Sequence, residues 1–282
     1  MPKYMIFGGD GLLAFAIKNN EFFADNIALS IKECDITFPE TIEKYIKAQN
    51  PEYLINCAAY TDVTKAETDI TSAMEVNAHG AINLALLANK YRCKLVHFST
   101  DYVFKGDKEI SYSEEMETNP INKYGQTKLK GEEFVRTVNP NALIIRISML
   151  YGQNGKNFLS QIKKLLQEKS QLSLICDQFG KTTFAKDTAI ATKLLIEKEA
   201  LGIYHFANEG VCSLFEFTKK MYELMRKKKN IECNIMPLMS FEYPDKTPRP
   251  AWSILDTEKY KKLTGHSIRH WEEALEEYIM FS

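Results

Sequence analysis

Tyr124 and Lys128 stand four residues apart in the segment Asn122-Lys-Tyr-Gly-Gln-Thr-Lys-Leu-Lys-Gly-Glu132, downstream of Ser99-Thr-Asp-Tyr102. Lys128, Leu129 and Glu132 favour a helix after Pro120, and residues four apart then share a face, with the ammonium beside the phenol. A cation held there is expected to lower the phenol pKa from its ordinary value of roughly 10 toward neutrality, where a proton donor is useful. Thr100, brought in from a strand end, supplies a second hydrogen bond to a substrate oxygen. The constellation points to carbonyl reduction. Tyr-x-x-x-Lys is a weak signal by itself in a chain with 14 tyrosines. Isolated, it reads more simply as a packed ring and a solvated lysine, so its weight comes from what precedes it.

What precedes it is a nucleotide-binding pattern. Tyr4-Met-Ile-Phe7 reads as a buried strand that runs into Gly8-Gly-Asp-Gly-Leu-Leu-Ala14 and a helix to Asn20. In this Gly-x-x-Gly-x-x-Ala spacing Gly8 makes the tight turn, Gly11 admits a pyrophosphate, and Ala14 packs helix on strand. Leu12 and Leu13 open the helix beside the expected phosphates. A carboxylate about 20 residues further on would bind a ribose 2′-hydroxyl. The end of the second strand instead carries Ser30-Ile-Lys32, donors suited to a 2′-phosphate, so NADPH is the expected cofactor and NADH the alternative. Asp35 and Ile36 border the adenine, and Ala58-Ala59-Tyr60 lets a cofactor lie against the next strand end.

Apolar strands alternate with helices through Ala142-Leu-Ile-Ile-Arg-Ile147, which predicts an α/β fold with a doubly wound parallel sheet. Residues 1–150 are expected to form a dinucleotide-binding domain. Beyond Leu150 the rhythm breaks and prolines become denser, as in Pro248-Arg-Pro250, so 151–282 reads mainly as a smaller substrate-binding lobe. Residues 187–207, a helix and a strand, are expected to rejoin the sheet.

Composition narrows the partners. With 36 Lys and Arg against 37 Asp and Glu, a net charge of −1 offers no basic field for nucleic acid or an anionic membrane. Arg226-Lys-Lys-Lys229 reads as a solvated helix end. Six cysteines without a Cys-x-x-Cys pair suit a reducing compartment. The chain shows no signal segment and no apolar run of membrane-spanning length, so a cytoplasmic location is expected. His97 and His205 lie in apolar strands and read as satisfied core residues; no group has metal-ligand spacing, and no metal is expected. Without a Gly-x-Ser-x-Gly elbow, hydrolase chemistry is disfavoured.

Taken in order, the glycine motif, Asn56-Cys-Ala-Ala-Tyr-Thr61, Val76-Asn77, Ser99-Thr-Asp-Tyr-Val-Phe104, Tyr124-Gly-Gln-Thr-Lys128, Arg146-Ile-Ser-Met-Leu-Tyr-Gly152, Asp177-Gln-Phe-Gly180 and Arg249-Pro-Ala-Trp-Ser253 resemble the dTDP-4-dehydrorhamnose reductase family of extended short-chain dehydrogenases/reductases. The likeness spans nearly the whole chain. It implies Thr100, Tyr124 and Lys128 as catalytic residues, and Gly8, Gly11, Leu12, Leu13, Asp35, Ile36, Ala58, Ala59, Tyr60, Tyr124 and Lys128 as cofactor contacts. It also implies a nucleotide-sugar substrate met by Thr100, Asp101, Met149, Asn157 and Arg249. The expected reaction is reduction of a 4-keto-6-deoxyhexose at C4, completing dTDP-L-rhamnose, a precursor of cell-surface polysaccharide. The chain departs from the family at Met149, where tryptophan is common, at Thr182, usually proline, and at Trp252, often asparagine or tyrosine. Some relatives form homodimers through magnesium held by carboxylates; Glu272, Glu273, Glu276 and Glu277 here read as the polar face of a terminal helix. Two other readings stay open: an epimerase or dehydratase of the same fold, although Asp101-Tyr102 lacks the Asp-Glu pair of dehydratases, and a non-catalytic NADP-binding regulatory subunit.

Overall fold

The computed structural model describes residues 2–154, 158–228 and 231–281. Its centre is a six-stranded, all-parallel sheet. The strands are β1 (Tyr4–Phe7), β2 (Asn26–Leu29), β3 (Tyr53–Asn56), β4 (Lys94–Thr100), β6 (Leu143–Ile147) and β11 (Gly202–His205), in the order β11-β6-β4-β3-β1-β2. β1, β3 and β6 are buried at every position, as strands covered by helices on both faces must be.

One face carries α1 (Leu12–Lys18) and α8 (Ala185–Glu197), which enclose Ile6, Ala14, Ile17, Ile55, Ile145 and Leu195. The other carries α2 (Pro39–Gln49), opened by its proline, then α3 (Val63–Ala66), α4 (Ile70–Met74), α5 (Gly80–Tyr91) and α6 (Lys123–Val138). Met5, Leu54, Leu84, Val135 and Ile144 pack between them. The fold is thus the expected doubly wound α/β architecture, and the strand order reverses at β1, leaving a crevice where β1 and β3 end.

The helical run over 70–91 is interrupted. Glu75–His79 is a π-turn, and it lies where α6 crosses. A Cβ on Gly131 would collide with the Asn77 carbonyl, so the two backbones are in near contact. The extra residue in that turn buries Asn77, whose Oδ1 accepts from Tyr60 N (2.9 Å) and whose Nδ2 donates to Tyr60 O (3.1 Å) and Thr127 Oγ1 (3.0 Å).

The smaller lobe has short strands and its own core. β5 (Ser111–Tyr112), β9 (Phe179–Gly180), β12 (Cys212–Ser213) and β14 (Trp252–Leu255) form one sheet; β7 (Leu150–Tyr151) pairs with β10 (Thr183–Phe184), and β8 (Gln171–Ile175) with β13 (Asn234–Leu238). α7 (Phe158–Glu168), α9 (Leu214–Arg226) and α11 (Trp271–Met280) close over Tyr151, Phe184, Phe217 and Trp271, while α10 (Glu258–Thr264) packs on β11 and α8. α9 begins with a capping box in which Ser213 and Glu216 satisfy each other's backbone N–H. Among the described residues no helix is long and apolar enough to cross a membrane.

Candidate active site

The carboxyl ends of the parallel strands assemble the site. β4 ends in Thr100, buried, and the chain then turns through Asp101, also buried. Across from them α6 starts at Asn122, whose side chain caps the helix by accepting from Gly125 N at 2.7 Å. Tyr124 and Lys128 follow one turn apart. The Thr100 hydroxyl donates to Asp101 Oδ1 (3.1 Å), accepts from Tyr102 N (3.2 Å) and is hydrogen-bonded to Tyr124. The Tyr102 ring stands edge-on to the Tyr124 ring at 5.9 Å.

The electrostatics differ from the expectation for Tyr124. Its pKa is raised, not lowered: burial dominates, Asp101 and Tyr102 add to the rise, and the Thr100 hydrogen bond opposes it. Lys128 does not turn to the phenol. Its ammonium is buried, and a buried donor needs an acceptor, which it finds in Phe98 O at 2.6 Å. Desolvation lowers the Lys128 pKa to about 8, with Glu132 and Cys57 pulling the other way.

Asp101 is the second perturbed group. Burial raises its carboxyl to about 6 against hydrogen bonds from Ser253 and Thr100, and its Oδ2 is buried with no hydrogen-bond partner. Met149, half-buried at φ 41°, belongs to the same cluster. A Cβ on Gly180 would lie 3.2 Å from Met149 Sδ and 3.4 Å from Ser253 Oγ, so Gly180 floors the space between them. Trp252, tilted against Phe179 at 5.4 Å, also buries an unpaired Nε1 here. Arg249 reaches Tyr102 by a hydrogen bond and is held by Asp245 Oδ2 at 3.1 Å, which in turn accepts from Thr64. Asn157 lies outside the described residues.

The glycine turn occupies the crevice between β1 and β3. Gly8 adopts φ 76°, and a Cβ there would sit 2.7 Å from Ala58 N, so only glycine lets the two strand ends touch. Gly11 N closes the turn on Gly8 O at 2.8 Å and precedes α1 with no side chain over its first amides. Leu12 lies half-buried beside Gly152, whereas Leu13 points into the core and presents only backbone to the crevice. Ala58, Ala59 and Tyr60 leave β3 half-buried, and the Tyr60 hydroxyl is buried without a partner.

The β2 end holds a group that sequence reasoning passed over. Glu33 Oε2 accepts from both Ser30 N (2.8 Å) and Ser30 Oγ (2.7 Å), so the donors expected to meet a 2′-phosphate are already committed, while Lys32 is exposed. Asp35 holds its own turn through Thr37, and Ile36 is buried under α5, where Asn83 donates to its carbonyl. Ser253 and Glu132 were likewise passed over. Glu132 had a signal, since it follows Lys128 by one further helical turn. His205 is satisfied by Arg146 and the Tyr112 carbonyl, but His97 leaves Nε2 buried and unpaired. A separate cavity of about 490 Å³, lined by Tyr53, Arg92, Lys94 and Asn141, lies at the opposite, amino-terminal edge of the sheet.

Residues 2–281 match the family described as the RmlD substrate binding domain. The chain is 34% identical over 281 residues to the spore coat polysaccharide biosynthesis protein SpsK of Bacillus subtilis, covering 99% of this chain and 97% of that one. It is 33% identical over 290 residues to dTDP-4-dehydrorhamnose reductase of Aggregatibacter actinomycetemcomitans, covering 98% and 97%. Among solved structures it is similar to dTDP-4-dehydrorhamnose reductase from Bacillus anthracis in complex with NADP, with TM-score 0.94, 34% identity and full coverage of both chains.

Proposed function

We propose a reaction for this chain from one premise: it belongs to the RmlD substrate binding domain family and is an NAD(P)H-dependent nucleotide-sugar 4-keto reductase of that family. The reaction is reduction of dTDP-4-dehydrorhamnose at C4 to dTDP-L-rhamnose. The observation that carries it is the hydrogen-bonded run Tyr124, Thr100, Asp101 at the carboxyl edge of the sheet. A reduction needs a proton donor beside the carbonyl oxygen, and a phenol whose pKa burial has raised keeps its proton across the neutral range.

The cofactor supplies the hydride when bound. The chain's residues fit a dinucleotide: the Gly8 turn is a cradle that a Cβ would fill, and Gly11 leaves the first amides of α1 uncovered. Ala58 and Ala59 are the small floor, and Lys128 is the cation for the nicotinamide ribose. Tyr124 delivers its proton to the C4 oxygen, Thr100 donates to the same oxygen, and the unpaired Oδ2 of Asp101 takes a sugar hydroxyl. Met149, Ser253 and Arg249 line the sugar-nucleotide side, which places substrate between the sheet and the smaller lobe. NADPH is the preferred cofactor, supported by Lys32 and by the similarity to an NADP-bound relative.

The deciding assay is NADPH oxidation across dTDP-, UDP- and GDP-linked 4-keto-6-deoxy sugars, with the product sugar identified. Turnover of dTDP-4-dehydrorhamnose to the L-rhamno product is expected to exceed that of the others. Turnover confined to another sugar nucleotide overturns the substrate assignment.

A further inference from the structure

Behind Lys128 lies a charge cluster that the proposed reaction does not use. Tyr124, Lys128 and Glu132 follow one another at intervals of four along α6, so they form one stripe. Glu132 and Arg146 are both buried and paired through two hydrogen bonds, Nε to Oε1 at 2.9 Å and Nη2 to Oε2 at 2.7 Å. Arg146 is fixed in turn. Its guanidinium lies 5.1 Å from the Phe104 ring centre, and Nη1 is 3.3 Å from His205 Nε2. His205 Nδ1 donates to the Tyr112 carbonyl at 3.1 Å, so its ring is neutral and Nε2 is the acceptor.

Both oxygens of Glu132 are therefore held, and its charge is a stationary one, a single turn from Lys128. Stability does not require such a pair, since buried ion pairs are replaced by apolar residues at little or no cost. Among the described residues the titratable groups that act on Lys128 are Cys57 at the end of β3, His97 on β4 and Glu132 on α6, with Arg146 of β6 behind Glu132 and Tyr124 one turn before Lys128 on α6. The Cys57 thiol is pushed up by burial and stays neutral, and burial holds His97 neutral as well. Among the described residues Glu132 is thus the group acting on Lys128 that carries a negative charge.

We propose that Glu132, clamped by Arg146, is a positioning residue that keeps the Lys128 ammonium charged in the cofactor-free protein, and so sets the upper pH limit of cofactor binding. The proposal rests on the reading of Lys128 as the ribose-binding cation. A nearby opposite charge shifts a lysine by about one pH unit or more. From a midpoint of about 8, loss of Glu132 takes the ammonium to about half-charged near pH 7.

The test is NMR titration of lysine side chains in the cofactor-free protein, with the Lys128 signal identified by its loss in Lys128→Arg. Glu132→Gln is expected to lower the Lys128 midpoint by about one unit. Glu133→Gln, which removes a neighbouring exposed carboxylate paired with Lys130, leaves it in place. Because Glu132→Gln strands Arg146, the double variant Glu132→Leu with Arg146→Met is measured beside it; it buries no unpaired charge and is expected to titrate below wild type.

NADPH binding by calorimetry gives the second readout. Glu132→Gln should bind about threefold more weakly near pH 7.5 and equally well near pH 6. A midpoint that stays put in Glu132→Gln and in the double variant overturns the proposal, as does weak binding that acidification does not restore. If the wild-type protein reduces no 4-keto sugar, the reaction assigned above fails, while the lysine titration still decides the role of Glu132.

Discussion

The hydroxyl of Thr100 stands between two partners: it donates to Asp101 Oδ1 at 3.1 Å and is hydrogen-bonded to the Tyr124 phenol. The phenol and the hydroxyl thus meet at one point, where a substrate oxygen would replace or join their hydrogen bond and receive the phenol proton.

Tyr124→Phe removes that proton and keeps the ring packed against Tyr102. Turnover should fall by about 10²–10⁴-fold, with NADPH affinity nearly unchanged. Steady-state kinetics and a fluorescence titration of NADPH check the two halves separately. A variant keeping more than about a tenth of wild-type kcat removes Tyr124 from the proton-donor role.

Asp101 makes stability depend on pH in a direction opposite to that of most carboxylates. Its folded pKa, about 6, lies above the unfolded value near 3.8, so the folded state holds the proton more tightly. Stability contributed by the neutral acid is complete below about pH 4 and is lost as pH rises through about 6, by roughly 3 kcal/mol. Asp101→Asn should lose this slope. Thermal unfolding at a series of pH values would show the variant gaining on wild type between about pH 4 and pH 6; parallel curves would mean that the carboxylate is not buried as described.

At the end of β2 the carboxylate of Glu33 occupies both Ser30 donors. A 2′-phosphate would have to displace it against like charge, so Glu33→Gln is expected to raise the kcat/KM ratio of NADPH over NADH several-fold. Ser30→Asp should lower the ratio. If neither changes it, this strand end does not meet the ribose.

Met149 lies across Gly180 and beside Ser253 with a flexible thioether. An indole offers a broad, rigid face instead. Met149→Trp should narrow the range of 4-keto-6-deoxy sugar nucleotides accepted, and a profile identical to wild type across the panel would place Met149 outside the sugar site.

Gly131→Ala tests the crossing of α6 over the π-turn, where a Cβ meets the Asn77 carbonyl. Overpacking against backbone should cost about 1–3 kcal/mol, read from denaturant unfolding. A neutral result would mean that the two backbones are further apart.

Much of this arrangement is legible in the sequence because it follows from local rules. Apolar runs such as Leu143-Ile-Ile-Arg-Ile147 mark strands buried on both faces, and Asn122 three residues before Gly125 marks the start of the helix that carries Tyr124 and Lys128. What escapes is whatever depends on a neighbour distant in sequence. The π-turn exists because Gly131 arrives 54 positions after Asn77. The rise in the Tyr124 pKa comes from enclosure by Tyr102 and Asp101, which no spacing reports. Glu33 is a different kind of miss: it is local to Ser30, but an expectation centred on donors for a phosphate overlooks the acceptor three residues on.

The last strand of the central sheet, β11, is made only after the chain has passed through the first part of the smaller lobe. During synthesis, β6 has its outer edge open while the next 50 or so residues emerge, and its five residues are buried in the finished protein. The nucleotide-binding half cannot mature ahead of the first part of the lobe, because the segment that seals its edge lies behind that part in the chain. A chain that stops before Gly202 would be left with Leu143, Ile144 and Ile145 on a strand with one edge open, the kind of edge that recruits another chain.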